Sequence, residues 1–240
     1  MTTKEGTGGT KGPRRSQGDA PRMRDVPKPR RSPSFIGPLF RTLFAWPYRF
    51  GLAGLFRAGF HPWQLTLLSV LATGAGGWLI VTGRFFVAGL MLLVSGLLDV
   101  FDGGLARLRG EASRAGAFLD SVSDRVSDVI LFGALFWALA GQGHRLSAGL
   151  ALSALVVSLL VSHLRAEAEA LGVSLTEGFV QRLERYVLMM VGLVFPHALL
   201  PVLILLNGLG GLTVLQRTYS AWRQLGGKAR PTLSRRGKVE

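Results

Sequence analysis

Cysteine is absent from all 240 residues, which excludes disulfide staples, thiolate catalysis and zinc or iron–sulfur sites built on sulfur. Charge is scarce. Only 18% of the residues are charged, where a soluble domain carries about a quarter. Acids are the rarer sign, 14 Asp+Glu against 28 Lys+Arg, for a formal charge of +14. No short apolar run with a small-residue cleavage site opens the chain, so a secretory signal peptide is not expected. What is plentiful is apolar: 48% hydrophobic residues and a mean hydropathy of +0.34. These proportions predict a chain for which lipid is part of the solvent.

The positive charge sits mostly at the ends, and its position decides its meaning. Residues 1–33 hold nine Lys/Arg among Gly, Pro, Ser and Thr, with almost nothing apolar, and read as a disordered basic tail. Residues 217–240 repeat the pattern with Arg217, Arg223, Lys228, Arg230, Arg235, Arg236 and Lys238, and 219–240 is assigned as a second basic tail. Basic ends flanking an apolar body suit anionic lipid headgroups, at about 1 kcal/mol for each Lys or Arg near the surface. Nucleic acid is not an expected partner.

A spanning helix needs about 20 mostly apolar residues. Six segments qualify, near 64–82, 85–107, 116–140, 147–168, 179–196 and 198–216, so the fold class is an all-α integral membrane protein with a six-span body over 59–218. Ahead of it, 34–58 mixes Phe, Trp, Tyr and Leu with spaced arginines and reads as an interfacial amphipathic helix. Threading six spans puts both tails, the 108–115 loop and the 165–185 region on one side, with few basic residues opposite. Positive-inside then makes both termini cytoplasmic in a multi-pass protein of the cell membrane.

Within the apolar body, acids cluster. Six of the 14 fall between 99 and 128: Asp99, Asp102, Glu111, Asp120, Asp124 and Asp128. An unpaired carboxylate in a span costs several kcal/mol, so such residues point to function. Asp99 and Asp102 share a helical face at the end of the second span, and Asp120 and Asp124 share one at the start of the third. A short loop joins these antiparallel spans, so the pairs converge near the cytoplasmic boundary. Converging carboxylates repel unless a cation sits among them, and hard oxygen ligands select Mg²⁺, Mn²⁺ or Ca²⁺. Two ions would suit phosphoryl displacement. Alternatively, the acids pair with Arg107, Arg109, Arg114 and Arg125, or form the cation pathway of a coupled transporter. Arg107 lies four residues beyond Gly103 on one face, where its fork could grip a phosphate.

Taken together, Asp99-x2-Asp102-Gly103-x2-Ala106-Arg107-x8-Gly116-x3-Asp120-x3-Asp124 resembles the signature of the CDP-alcohol phosphotransferase family, with every fixed position matched over 26 residues. The resemblance extends with the six-span body over about 35–225. It implies a Mg²⁺- or Mn²⁺-dependent membrane transferase, holding two ions, that moves a phosphatidyl group from CDP-diacylglycerol onto a polar alcohol and releases CMP. By position, Asp99, Asp102, Asp120 and Asp124 would be metal ligands, and Asp124 also the general base. Gly103, Arg107 and Ser113 would contact the nucleotide diphosphate, with Ala106, Gly116 and Thr66 also on the CDP-lipid side. A homodimer is the family expectation.

The stretch Asp124-Arg-Val-Ser-Asp128 looks most like the phosphatidylinositol phosphate synthase branch of that family. Segments 162–169 and 178–185 resemble that branch's acceptor region, so Arg165, Arg182 and Arg185 are the expected ligands of an acceptor phosphate. Glu167 stands where the branch carries a second basic residue. Inositol 1-phosphate is the leading acceptor and glycerol 3-phosphate the alternative.

Overall fold

The computed structural model describes residues 37–175 and 182–228, so the expected tail at 1–33 lies outside the described residues. Every described element is a helix. They are α1 (Gly37–Arg57), α2 (Pro62–Val81), α3 (Phe85–Arg109), α4 (Arg114–Gly141), α5 (Arg145–Ala170), α6 (Arg182–Val194), a 3₁₀ turn at Pro196–Ala198 and α7 (Leu199–Lys228).

Local chemistry sets the boundaries that matter for the site. α2 begins on Pro62, whose fixed φ suits a first helical position, and Gln64 Oε1 accepts from the His61 N–H at 2.9 Å. α3 stops at Gly110, which takes the left-handed conformation at φ 69° that other residues avoid. Three residues later Ser113 opens α4, its side-chain oxygen accepting from Gly116 N at 3.1 Å. The hairpin between α3 and α4 is therefore as short as the sequence suggests.

Six helices close into a ring in the order α2, α3, α6, α7, α5, α4 and back to α2. Its core includes Ile80, Leu92, Phe132, Leu135, Met189, Leu193 and Leu203, all essentially buried. Lipid is as apolar as these side chains, so polar contacts and close packing matter more between such helices than in water. Thr73 and Ser95 hydroxyls meet at 2.7 Å, Ser95 donates to the Ser69 carbonyl at 2.8 Å, and the Tyr186 hydroxyl reaches Ser95 at 3.1 Å, joining α2, α3 and α6. Asn207 Nδ2 ties α7 to the Leu150 carbonyl of α5 at 2.9 Å.

Four helices are long and apolar enough to cross a membrane: Pro62–Val81, Phe85–Arg109, Arg145–Ala170 and the run Pro196–Gly226. The other two expected spans differ for separate reasons. α4 has the length, but Asp120, Asp124, Arg125 and Asp128 interrupt its apolar character. α6 is described from Arg182 to Val194, and the start of its expected span, 179–181, lies outside the described residues.

α1 forms inside the expected 34–58 segment and packs on α3 through Tyr48, Leu52 and Phe56 against Leu105 and Leu108. Trp46 and Phe50 stack on each other on its exposed side. At the other end, α7 runs to Lys228, ten residues into the segment assigned as a tail. Ala221 and Leu225, one turn apart, explain the extension, because they pack against Ala168, Val173 and Leu175. Residues 229–240 lie outside the described residues.

Candidate active site

The α3–α4 hairpin delivers the carboxylates. Asp99 is ten residues from the end of α3 and Asp124 ten from the start of α4, so both sit about 15 Å along their helices from the connecting loop. Asp99, Asp120 and Asp124 each offer an oxygen such that all three lie within 4.8 Å of one another, and all three are partly buried. Three carboxylates at that spacing, with oxygen as the only donor element, fit a hard divalent cation better than a soft metal.

Asp102 does not join that group. It is 5% exposed and accepts a 2.6 Å hydrogen bond from the Thr66 hydroxyl of α2. It remains in electrostatic range of Asp99 and Asp120. Thr66, expected on the CDP-lipid side, is thus the residue that holds the fourth carboxylate. The remaining residues expected to face the nucleotide line the same hairpin. An Arg107 nitrogen lies 3.6 Å from where a Cβ on Gly103 would stand, so the exposed guanidinium folds back over that glycine. Ser113 and Gly116 form the α4 cap, and the Ala106 carbonyl accepts from Glu111 N at 2.9 Å to close the α3 end.

Among the arginines considered as partners of the acids, two have other work. Arg109 donates to the Phe56 carbonyl at 3.2 Å and stacks on the Phe56 ring at 4.8 Å, fastening α1 to α3. Arg125 reaches back one turn to the Ser121 carbonyl and hydroxyl.

Next to the carboxylates, an apolar groove runs between α2 and α4. Thr66 and Ser123 stand at its polar side, and Trp63, Leu67, Val70, Leu119, Val122 and Val126 complete it. Leu67, Leu119, Val122 and Val126 are exposed, so the groove opens to the surroundings of the bundle.

The expected acceptor arginines are placed unequally. Arg185 is largely buried and pairs with Asp128 at 3.1 Å, and Ser158 donates to the same carboxylate oxygen. Arg165 is exposed and pairs with Glu169 at 2.9 Å, one turn along α5. The side chain of Arg182 lies outside the described residues. Sequence reasoning missed a further member. Arg217, counted with the C-terminal basic residues, is 5% exposed inside the bundle, donates to the Val161 carbonyl at 2.8 Å, and lies in electrostatic range of Arg165, Arg185 and Glu169. The signal was available: an arginine directly following the apolar run of α7 is too costly there to be only a topology signal.

The family model for CDP-alcohol phosphatidyltransferases matches residues 60–216. The phosphatidylinositol phosphate synthase of Mycobacterium marinum is 34% identical over 183 residues, 72% of this chain and 78% of that one. The archaetidylinositol phosphate synthase of Methanothermobacter thermautotrophicus is 34% identical over 166 residues, covering 67% and 83%. Among solved structures, Mycobacterium tuberculosis phosphatidylinositol phosphate synthase with CDP-DAG bound is 31% identical with a TM-score of 0.67, covering 78% of this chain and 96% of that one. The same enzyme in complex with manganese and citrate gives 33% identity and a TM-score of 0.69, covering 75% and 91%.

Proposed function

Because the chain belongs to the CDP-alcohol phosphatidyltransferase family, we propose that it transfers the phosphatidyl group of CDP-diacylglycerol to a hydroxyl of inositol 1-phosphate, releasing CMP. The observation that carries this reading is the meeting of Asp99, Asp120 and Asp124 from two antiparallel helices beside an apolar groove. A charged diphosphate needs the first, and acyl chains need the second.

In this reaction the acceptor oxygen attacks the phosphatidyl phosphorus, the bond from that phosphorus to the CMP oxygen breaks, and the hydroxyl proton leaves to Asp124. Asp99, Asp120 and Asp124 would hold a divalent cation, Mg²⁺ or Mn²⁺, and Asp102 would join them in a two-ion site. Bound there, it would neutralise the diphosphate and the charge growing on the departing CMP. Arg107 grips the diphosphate from the exposed side of α3, and the groove between α2 and α4 takes an acyl chain. Gly103, Ala106, Ser113 and Gly116 give the nucleotide close access to the hairpin backbone.

The acceptor phosphate would lie among Arg165, Arg185 and Arg217, with Arg182, which opens α6, as a further contributor. Multiple guanidinium groups suit a dianionic ligand. Both the mycobacterial and the archaeal relatives are named for an inositol phosphate product, which supports this acceptor over glycerol 3-phosphate. The protein would cross the membrane six times as a homodimer, with both termini and the active site cytoplasmic and α1 lying in the interface. Trp46 and Phe50 on the exposed side of α1 suit that position.

The test is the identity of the lipid product. Purified protein given CDP-diacylglycerol, Mg²⁺ and inositol 1-phosphate is expected to form phosphatidylinositol phosphate, detected by mass spectrometry. A product formed only from glycerol 3-phosphate would reassign the acceptor.

A further inference from the structure

Tyr48 of α1 reaches the α3–α4 hairpin from outside the ring of six helices. The residue is 5% exposed, and its ring stacks on Phe101 of α3 with centroids 5.5 Å apart and planes 3° from parallel. Its hydroxyl lies directly over Gly104. A Cβ at that glycine would stand 2.0 Å from the phenolic oxygen, a distance no side chain tolerates. The approach of α1 to α3 thus depends on a glycine that is not a fixed position of the signature.

Arg107 is the side chain that reaches the hydroxyl, acting through its charge and as a loosely aligned hydrogen-bond partner rather than a well-formed one, and Asp102 is the other charged group that acts on it. A buried hydroxyl is costly without a hydrogen-bond partner, whereas phenylalanine would fill the same volume and keep the stack on Phe101 with no such need. Packing therefore does not account for the oxygen. Burial raises the phenol above its ordinary pKa, so it is a neutral hydrogen-bonding group throughout the physiological range.

We propose that Tyr48 is a positioning residue for the donor substrate, its hydroxyl orienting the Arg107 guanidinium toward the diphosphate of the CDP-linked lipid. Arg107 is exposed and folded over Gly103, one residue from the glycine beneath Tyr48. The phenolic oxygen is the acceptor for an Arg107 N–H. The planar fork is then fixed with its other donors facing outward. α1 becomes a functional part of the site, although Tyr48 precedes the residues 60–216 matched by the family model.

The inference rests on the proposed donor, and the experiment separates the two. Binding of CDP in the presence of Mn²⁺ is measured by calorimetry for the full chain and for Tyr48→Phe, Arg107→Ala and the double variant, beside KM for CDP-diacylglycerol and for inositol 1-phosphate. Tyr48→Phe is expected to weaken CDP binding and raise the donor KM about fivefold, leaving the acceptor KM within about twofold. In the Arg107→Ala background it is expected to add nothing, since the hydroxyl acts through Arg107. Gly104→Ala, which displaces the hydroxyl, is expected to reproduce the donor defect. An unchanged donor KM in Tyr48→Phe, or an equal loss in the Arg107→Ala background, overturns the proposal. A wild type that binds CDP but uses no inositol 1-phosphate counts against the acceptor alone, and one that binds no CDP overturns both readings.

Discussion

The Thr66 hydroxyl donates to Asp102 Oδ2 at 2.6 Å, a contact across 36 residues of sequence that ties the first turn of α2 to the carboxylate hairpin. The same hydroxyl also approaches the Pro62 carbonyl at 3.2 Å, so its lone proton is shared between a local and a tertiary partner. Hydrogen bonds to charged groups contribute about 1.5–3 kcal/mol. Thr66→Val keeps the shape and removes the donor. It is expected to lower kcat/KM by roughly 10- to 100-fold, and Thr66→Ser to restore most of it. A Thr66→Val enzyme as active as wild type would show that the orientation of Asp102 is set elsewhere.

Removal of the proposed base separates chemistry from binding. Asp124→Asn preserves volume and still offers one ligand oxygen, but takes no proton. Loss of a general base lowers kcat by about 10²–10⁴-fold. Donor affinity is expected to change far less. Chelation by EDTA is expected to abolish turnover of the wild type, with Mg²⁺ or Mn²⁺ restoring it.

The signature was legible because fixed spacing puts Asp99 on α3 and Asp120 and Asp124 one turn apart on the next helix in sequence; α2, packed against both helices, brings the three together. Asp102 shows the limit. Spacing of three put it on the face of Asp99, but which neighbour captured it depended on α2 packing alongside, which spacing along one helix does not encode. Asp128 and Arg185, 57 residues apart, likewise form a largely buried pair that reaches from α6 to α4, helices that are not adjacent in the ring. Arg217 was obscured by its company, since a count of basic residues near the C-terminus merges a buried guanidinium with solvated ones. α1 was recognisable by composition, but nothing in its sequence marked Tyr48 as facing Gly104 and Arg107.

Arg217 offers a way to test the acceptor pocket. Arg217→Ala is expected to raise KM for inositol 1-phosphate at least about tenfold with little change for CDP-diacylglycerol, and Arg217→Lys to fall between, because an ammonium keeps the charge but not the fork. Asp128→Ala should act differently. It strands Arg185 in a site where both side chains are nearly buried, and breaking such a pair costs about 3–5 kcal/mol. Lower thermal stability in detergent is expected, and a variant as stable as wild type would argue that Arg185 is not held by that carboxylate.

The groove between α2 and α4 predicts an acyl-chain effect. Val122→Trp fills it beside Ser123 without touching the aspartates. Activity is expected to fall for long-chain CDP-diacylglycerol and to recover for a short-chain, detergent-soluble donor. Equal loss for both donors would place the chains elsewhere.

Transfer of the phosphatidyl group to an alcohol phosphate is best tested by CMP release from CDP-diacylglycerol and Mg²⁺ with inositol 1-phosphate and glycerol 3-phosphate offered in parallel. Release that requires inositol 1-phosphate and disappears in Asp124→Asn is the predicted result. Release with neither acceptor, or release undiminished in Asp124→Asn, would contradict it.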